Sequence, residues 1–390
     1  MTHKTKLLFV SNLFPDKAEP FRGLDNATLL HHLSEDYEIR VLSPRPDLSI
    51  VPWGRVSRDV DHHFSPAYVR TRYLPKIGSR VNHRLMARAL RPALEKLRHT
   101  FAFDIVLCSW VYPDGCAVAE LAREMHFPFA VIAQGSDVHQ YLQMPVRREI
   151  IVASMRGAGA LITRSAELAR MLAEAGVDGG KVHPVYNGVD FSVFHAADRT
   201  QARRELGLPP DARIVLFVGN FFEIKNPMLL VEAVAELHRD RAMEKVMFVA
   251  IGGGPLEKNA RRLALKLGLG SNARFAGRMP ASQVARHMQA SDVLCLPSRH
   301  EGVPNVILEA FACGLPVVAS RVGGIPEVLR HDFLGGMVES GNLESLVTEL
   351  KKQLETPPET DLIAAYARTF SWTATAAEYE AILERARTRA

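Results

Sequence analysis

Glu301 and Glu309 stand eight positions apart in Pro297-Ser-Arg-His-Glu-Gly-Val-Pro-Asn-Val-Ile-Leu-Glu309, with Gly302 and Pro304 directly after the first glutamate. A strand-like run, Asp292-Val-Leu-Cys-Leu, precedes this stretch, and an apolar helix-like run, Val306 to Cys313, follows it. A helix that begins near Pro304 carries Glu309 more than a turn inside, on a face shared with Asn305 and Ala312. It leaves Glu301 in the loop ahead. The loop then offers a carboxylate, the helix start offers unpaired backbone N–H groups, and a second carboxylate stands behind them. Carboxylates accept hydrogen bonds from hydroxyls and helix-start amides bind anions, so the stretch suits a ligand with both, such as a sugar nucleotide.

Other strand ends add candidates. In Val218-Gly219-Asn220-Phe-Phe-Glu223-Ile-Lys225-Asn226-Pro227, Lys225 arrives just before a helix opened by proline, where its charge joins free N–H groups and suits a diphosphate. A solvated surface lysine is the plainer reading of the same position. Gly252, Gly253 and Gly254 follow another strand, but Glu257 occupies the place of the third glycine in the dinucleotide fingerprint, and a tight turn explains them equally well. Gly323-Gly324 forms a similar turn, and Gly23 follows the Pro15–Arg22 loop after the first strand. In the first half, Gln134-Gly-Ser-Asp137-Val-His139, Arg164-Ser165 and Asn187-Gly188 end strands on one edge. Asp137 either accepts from sugar hydroxyls or caps a helix. His139 reads as well on the surface as in catalysis.

Several chemistries find no support. The histidine pairs His31-His32 and His62-His63 are adjacent, so their side chains diverge on any regular element, and no His-x-x-x-His offers a metal site. Neither a Gly-x-Ser-x-Gly elbow nor a Gly-x-x-x-x-Gly-Lys loop occurs. Cys108, Cys116, Cys295 and Cys313 lie in apolar runs and read as reduced core residues. The apolar run at the N-terminus is too short for a signal peptide and no stretch reaches the ~20 apolar residues of a bilayer span, which points to the cytoplasm.

The elements that must position these residues alternate. Strand candidates in the first half are Lys6–Ser11, Glu38–Leu42, Asp104–Ser109, Phe129–Ala133, Ala160–Thr163 and Val182–Tyr186, with helices between them. The second half repeats the scheme from Arg213–Val218 to Gly336–Val338, after a polar linker and short helix at 191–210. Strands alternating with helices specify an α/β chain. The expectation is two Rossmann-like, doubly wound parallel-sheet domains facing a cleft: residues 1–190, residues 191–369, and a helix at 370–390 packing back on the first domain. With 390 residues, two domains of ordinary size are expected, and 47% apolar and 23% charged residues suffice for both cores.

The net charge of +5 is uneven. Residues 70–100 hold nine Lys/Arg and one acid, Glu95, and Ile77, Val81, Leu85, Leu90, Leu94 and Leu97 recur there at helical spacing. Either this helix packs on its own domain, or it docks on an anionic membrane surface. No aromatic stacking platform interleaves with the arginines, so nucleic acid is not an expected partner.

Six motifs in this order resemble the retaining glycosyltransferases of family 4, over essentially the whole chain. They are the two-glutamate stretch, Cys313-Gly-Leu-Pro-Val-Val-Ala, Gly323-Gly-Ile-Pro-Glu, Ile251-Gly-Gly-Gly-Pro, Val218-Gly with Lys225-Asn, and Tyr186-Asn-Gly-Val-Asp. The resemblance implies the GT-B fold and a nucleoside-diphosphate-sugar as co-substrate, with no cofactor and no metal. It implies that Glu301 contacts donor-sugar hydroxyls, that Gly302, Val303, Pro304 and Asn305 meet the diphosphate or sugar, and that Glu309 binds the ribose. Lys225 would neutralise the diphosphate, Gly23 would let its loop approach, and Gly252 to Gly254 with Arg278 would flank the base. Gln134, Asp137, Ser165 and Asn187 would line the acceptor side. Two departures stand out. Asn220 occupies the place of a frequent arginine, for which Arg299 or Arg321 is a candidate substitute, and Gln134 replaces a frequent histidine, so that position can only hydrogen-bond.

The expected function is transfer of a sugar, with retention, to a glycan or lipid-linked acceptor in surface polysaccharide or glycoconjugate assembly, by a cytoplasmic enzyme that is either free or peripheral on the inner face of the cell membrane. A nucleotide-sugar epimerase or a phosphorylase of the same fold is the enzymatic alternative, and a two-lobed sugar-nucleotide-binding protein the non-enzymatic one.

Overall fold

The computed structural model describes residues 4–47, 63–75 and 77–388. The chain forms two compact units, Met1–Asn187 with Trp372–Ala390, and Gly188–Ser371.

The first unit is built on β1 (Thr5–Val10), β2 (Tyr37–Asp47), β3 (Ala67–Arg72), β4 (Ile105–Ser109), β5 (Phe129–Ala133), β6 (Ala160–Thr163) and β7 (Val182–Pro184). Their order is β3-β2-β1-β4-β5-β6-β7, every pairing parallel. Burial on both faces explains why β4, β5 and β6 read as unbroken apolar runs. Successive residues of β1 serve opposite cores: Leu8 and Val10 join Leu90 and Leu94 of the helix Asn82–Thr100. Leu7 and Phe9 face the other way, toward Leu29 and Leu33 and toward Trp372, Tyr379 and Leu383 of the last helix, Trp372–Thr388.

The second unit carries β8 (Arg213–Val218), β9 (Val246–Ile251), β10 (Ala273–Gly277), β11 (Val293–Leu296), β12 (Val317–Ser320) and β13 (Gly335–Val338), in the order β10-β9-β8-β11-β12-β13 and again parallel. In both units the order reverses at a strand that has sequence-distant neighbours, β1 beside β4 and β8 beside β11. Ligands of open parallel sheets bind beyond the carboxyl ends of such strand pairs, where the flanking connections leave in opposite directions. The two Rossmann-like sheets predicted from the alternation are present.

The differences are local. Strand β3 and the helices Pro145–Met155, Leu343–Glu355 and Thr360–Ala367 go beyond the sequence reading. Arg70 and Arg72 lie exposed on β3 at the sheet margin, where only Thr71 is buried, so charged residues interrupt the apolar signal. The basic segment is therefore not one amphipathic helix. It runs through β3, a 3-10 turn at Ile77–Arg80 and the helix Asn82–Thr100, while Lys76 lies outside the described residues. On that helix Met86, Ala87, Leu90 and Leu94 are buried in the domain core. Ile77 and Val81, read as part of the same stripe, are 84% and 37% exposed.

Candidate functional site

The second unit gathers Lys225 and Glu301 from the two strands that flank its reversal point. The loop after β8 ends in a 3-10 turn, Glu223–Lys225, followed by Asn226 at φ 48° and the helix Pro227–Arg239. The loop after β11 carries Ser298 to Pro304 and enters the helix Asn305–Ala312. A backbone bond from Arg299 N to Ile224 O at 2.7 Å ties the loops together. Lys225 Nζ then lies 2.5 Å from Glu301 Oε1, and Ser298 Oγ donates to the same oxygen at 2.6 Å. The Glu301 side chain is 9% exposed and that of Lys225 23%, so the pair borders the surface and is partly desolvated.

The turn after β12 fixes Glu301 from behind. Gly324 N donates to Gly302 O at 3.1 Å. Gly323 has φ 56°, and any Cβ there would come 1.8 Å from Glu301 O, so only glycine fits. At the start of the helix Asn305–Ala312, Pro304 supplies no side-chain cap, and the helix dipole directs its positive end toward the Gly302–Asn305 backbone. Glu309 lies more than a turn inside. It is partly buried, and burial alone, with no compensating cation, pushes its carboxyl up to about 7. A carboxylate in that setting gains strongly from hydroxyl donors.

The glycine turn after β9 adjoins the same loop. Phe221 N donates to Gly253 O, Gly219 N to Ile251 O and Gly252 N to Gly277 O, at 3.1, 3.0 and 2.9 Å. Arg278 Nη2 reaches Asn220 Oδ1 at 3.4 Å, so a guanidinium stands beside the position where the family pattern has arginine. Arg299 is exposed on the Glu301 loop, and Arg321 faces Glu339 at 4.0 Å.

The carboxyl edge of the first sheet is a separate polar network. Gly23 has φ 65°, and a Cβ would meet Leu13 O at 2.3 Å, which folds the Ser11–Gly23 loop back on itself. Asn12 N and Nδ2 donate to the buried Asp114, whose carboxyl burial raises to about 7, and Arg22 Nη2 donates to Asn12 Oδ1 at 2.8 Å. The buried pair Arg45–Asp16, at 3.1 Å, anchors the same loop, and Arg45 also donates to Asn12 O and Phe14 O. Removing one member of such a buried pair typically costs ~3–5 kcal/mol.

The acceptor-side candidates are largely committed to the protein itself. Asp137 is fully buried, and its two oxygens accept from Gln134 N, Gly135 N and Val111 N at 3.0, 2.8 and 2.8 Å. Val111 N, one of these donors, follows Trp110, whose φ of 91° is a strained value for a non-glycine residue. Ser165 is buried and caps the helix Ala166–Ala175 through Leu168 N at 3.1 Å. Gln134 Nε2 donates to Asn26 Oδ1 at 2.9 Å and Ser109 Oγ at 2.8 Å, and Arg164 Nε reaches its Oε1 at 3.4 Å. Asn187 is 7% exposed. His139 pairs with Glu167 at 3.0 Å, which raises its pKa against the opposing effect of burial.

Arg147 escaped the sequence reading. It lies in the first turn of the helix Pro145–Met155 and is 6% exposed, with its guanidinium over Tyr112 at 5.0 Å and Tyr141 at 4.3 Å. Its Nε donates to Ser79 Oγ at 3.3 Å, and none of the described carboxylates pairs with it. The contacts of this buried guanidinium are thus two ring faces and a hydroxyl. The only sequence signal was Arg147-Arg148 after Pro145 at a helix start. Among the described residues no cluster of three or more His, Cys, Asp or Glu could hold a metal ion, and no helix is long and apolar enough to cross a membrane.

The family model described as Glycosyltransferase Family 4 matches residues 27–193, and that described as Glycosyl transferases group 1 matches residues 198–370. A D-inositol 3-phosphate glycosyltransferase 2 of Catenulispora acidiphila is 32% identical over 259 residues, 64% of this chain and 60% of that protein. A D-inositol 3-phosphate glycosyltransferase of Segniliparus rotundus is 34% identical over 248 residues, 58% of this chain and 55% of that protein. The chain thus spans little more than half the length of these curated relatives. Among solved structures, a sucrose-phosphate synthase of Thermosynechococcus elongatus superposes with a TM-score of 0.82 at 19% identity, covering 99% of this chain and all of the other. HepE of Anabaena, solved with UDP, gives 0.77 at 18% identity over 97% and 99% of the two chains. With a family model on each unit and this fold, the chain belongs to the family 4 glycosyltransferases of GT-B architecture.

Proposed function

We propose that the protein transfers a sugar from a nucleoside-diphosphate-sugar to a hydroxyl acceptor with retention of anomeric configuration. The observation that carries this reading is the constellation of Lys225, Glu301, Ser298, the start of the helix Asn305–Ala312 and Glu309 beyond the carboxyl ends of β8 and β11. In this reading Glu309 accepts from the ribose hydroxyls and Glu301 from the sugar. Lys225, the helix-start amides and Arg278 meet the negative charge of the leaving diphosphate, so the transfer is metal-independent. The anomeric C–O bond to the diphosphate breaks as the acceptor oxygen bonds to the same face of that carbon. The acceptor proton passes to the departing phosphate oxygen, and a nucleoside diphosphate leaves.

For the acceptor, the reading favours a polyol bearing an anionic group. The curated relatives are named for D-inositol 3-phosphate, and Arg147 offers a guanidinium with no described carboxylate partner. Surface polysaccharide assembly remains the second reading, and Ile77 and Val81 favour it. Exposed beside Arg80 and Arg84, they suit docking on anionic lipid at the cytoplasmic face of a membrane. The deciding assay incubates UDP-, GDP- and ADP-glucose with D-inositol 3-phosphate or a lipid-linked glycan. Acceptor-dependent release of nucleoside diphosphate supports transfer. Binding of all donors without turnover on any acceptor refutes it.

A further inference from the structure

We propose that Glu301 also discriminates against the bare nucleoside diphosphate, and so helps to expel product; this rests on the reading that Lys225 meets the donor diphosphate. Lys225 already has a carboxylate partner within the protein, with Nζ 2.5 Å from Glu301 Oε1. A diphosphate must therefore take Lys225 from an existing partner.

Glu301 cannot retreat when that happens. Ser298 Oγ holds the same carboxylate oxygen at 2.6 Å. Gly324 N bonds the Gly302 carbonyl, Arg299 N bonds Ile224 O, and the Gly323 backbone lies against the Glu301 carbonyl. With its side chain only 9% exposed, water replaces the lost lysine poorly. A bare nucleoside diphosphate thus leaves a fixed carboxylate, deprived of its cation, near its own negative charge. The sugar conjugate removes that penalty, because sugar hydroxyls donate to Glu301 where the lysine did. One residue then has two effects of opposite sign, attraction for the sugar and repulsion of the diphosphate once the sugar has left.

The test is a double-mutant cycle in the full-length protein. UDP, GDP, ADP and their glucose conjugates are titrated calorimetrically into wild type, Glu301→Gln, Lys225→Met and the double variant. Glutamine keeps the shape of the side chain and removes its charge. The expected result is that E301Q binds the nucleoside diphosphate about tenfold more tightly, binds the conjugate no better than wild type, and loses its gain in the Lys225→Met background. A protein that fails to fold cannot gain affinity, and Glu301→Ala, which also removes the charge, must gain in the same direction. Unchanged or weaker diphosphate binding in E301Q, while Lys225→Met weakens it, overturns the inference and leaves the functional reading intact. Unchanged diphosphate binding in Lys225→Met, or no binding by any of these proteins, overturns both.

Discussion

Replacing Glu309 by glutamine should stabilise the unliganded protein and impair the site. Burial raises the Glu309 carboxyl from 4.5 to about 7, and no cation offsets it. Between those values the folded protein holds a proton that the unfolded chain releases, so stability falls as pH rises through that window and stays lower above it. At 1.36 kcal/mol per unit the full shift corresponds to at most about 3 kcal/mol; since the residue is only partly buried, ~1–2 kcal/mol is the working figure. E309Q lacks this ionisation, so its melting temperature should gain on wild type between pH 5 and 7 and lead by about 2–4 °C at pH 8. Asp114 is raised in the same way, but both proteins share it and it cancels in the difference. Nucleotide binding should move oppositely, weakening roughly 10–100-fold with the loss of charge-assisted bonds from the ribose. Melting curves at half-unit pH steps, with calorimetric titration of nucleoside diphosphate, measure both. A stability difference independent of pH from 5 to 8 would refute the burial argument, and unimpaired nucleotide binding would refute the role assigned to Glu309.

Other perturbations separate the remaining roles. Lys225→Ala should lower sugar transfer by roughly 10²–10³, the cost of losing one preorganised charge contact, and single-turnover rates near wild type would remove it from the site. Arg147→Met should raise KM for D-inositol 3-phosphate at least tenfold while the affinity for nucleoside diphosphate stays constant; equal KM values would end the anion-binding role. Ile77→Glu should abolish co-flotation with vesicles containing anionic lipid without lowering the melting temperature, since the residue is 84% exposed. Wild-type protein that does not float excludes that surface.

The parallel sheets were legible because their strands are buried on both faces and so appear as unbroken apolar runs, as in Phe129–Ala133 and Val293–Leu296. Strand β3 was not legible, since its outward positions carry Arg70 and Arg72 at the sheet margin. Within the site, the helix after Pro304 and the depth of Glu309 within it follow from local rules of chain and helix. Those rules could not tell a ligand-facing aspartate from a structural one. Asp137 and Ser165 sit at the right strand ends, yet their oxygens accept backbone N–H groups of their own or neighbouring loops.

What the sequence determined by itself is therefore periodic and local: two α/β halves, the glycine turns and the spacing of the two glutamates. What only tertiary structure decided is who meets whom. Lys225 and Glu301, 76 positions apart, become partners because β8 and β11 are neighbours in the sheet and Arg299 is bonded to Ile224. Arg147 comes to lie against Tyr112, Tyr141 and Ser79, with no described carboxylate paired to it. Electrostatic energy depends on distance through space, and that distance is set by the packing of the whole domain rather than by separation along the chain.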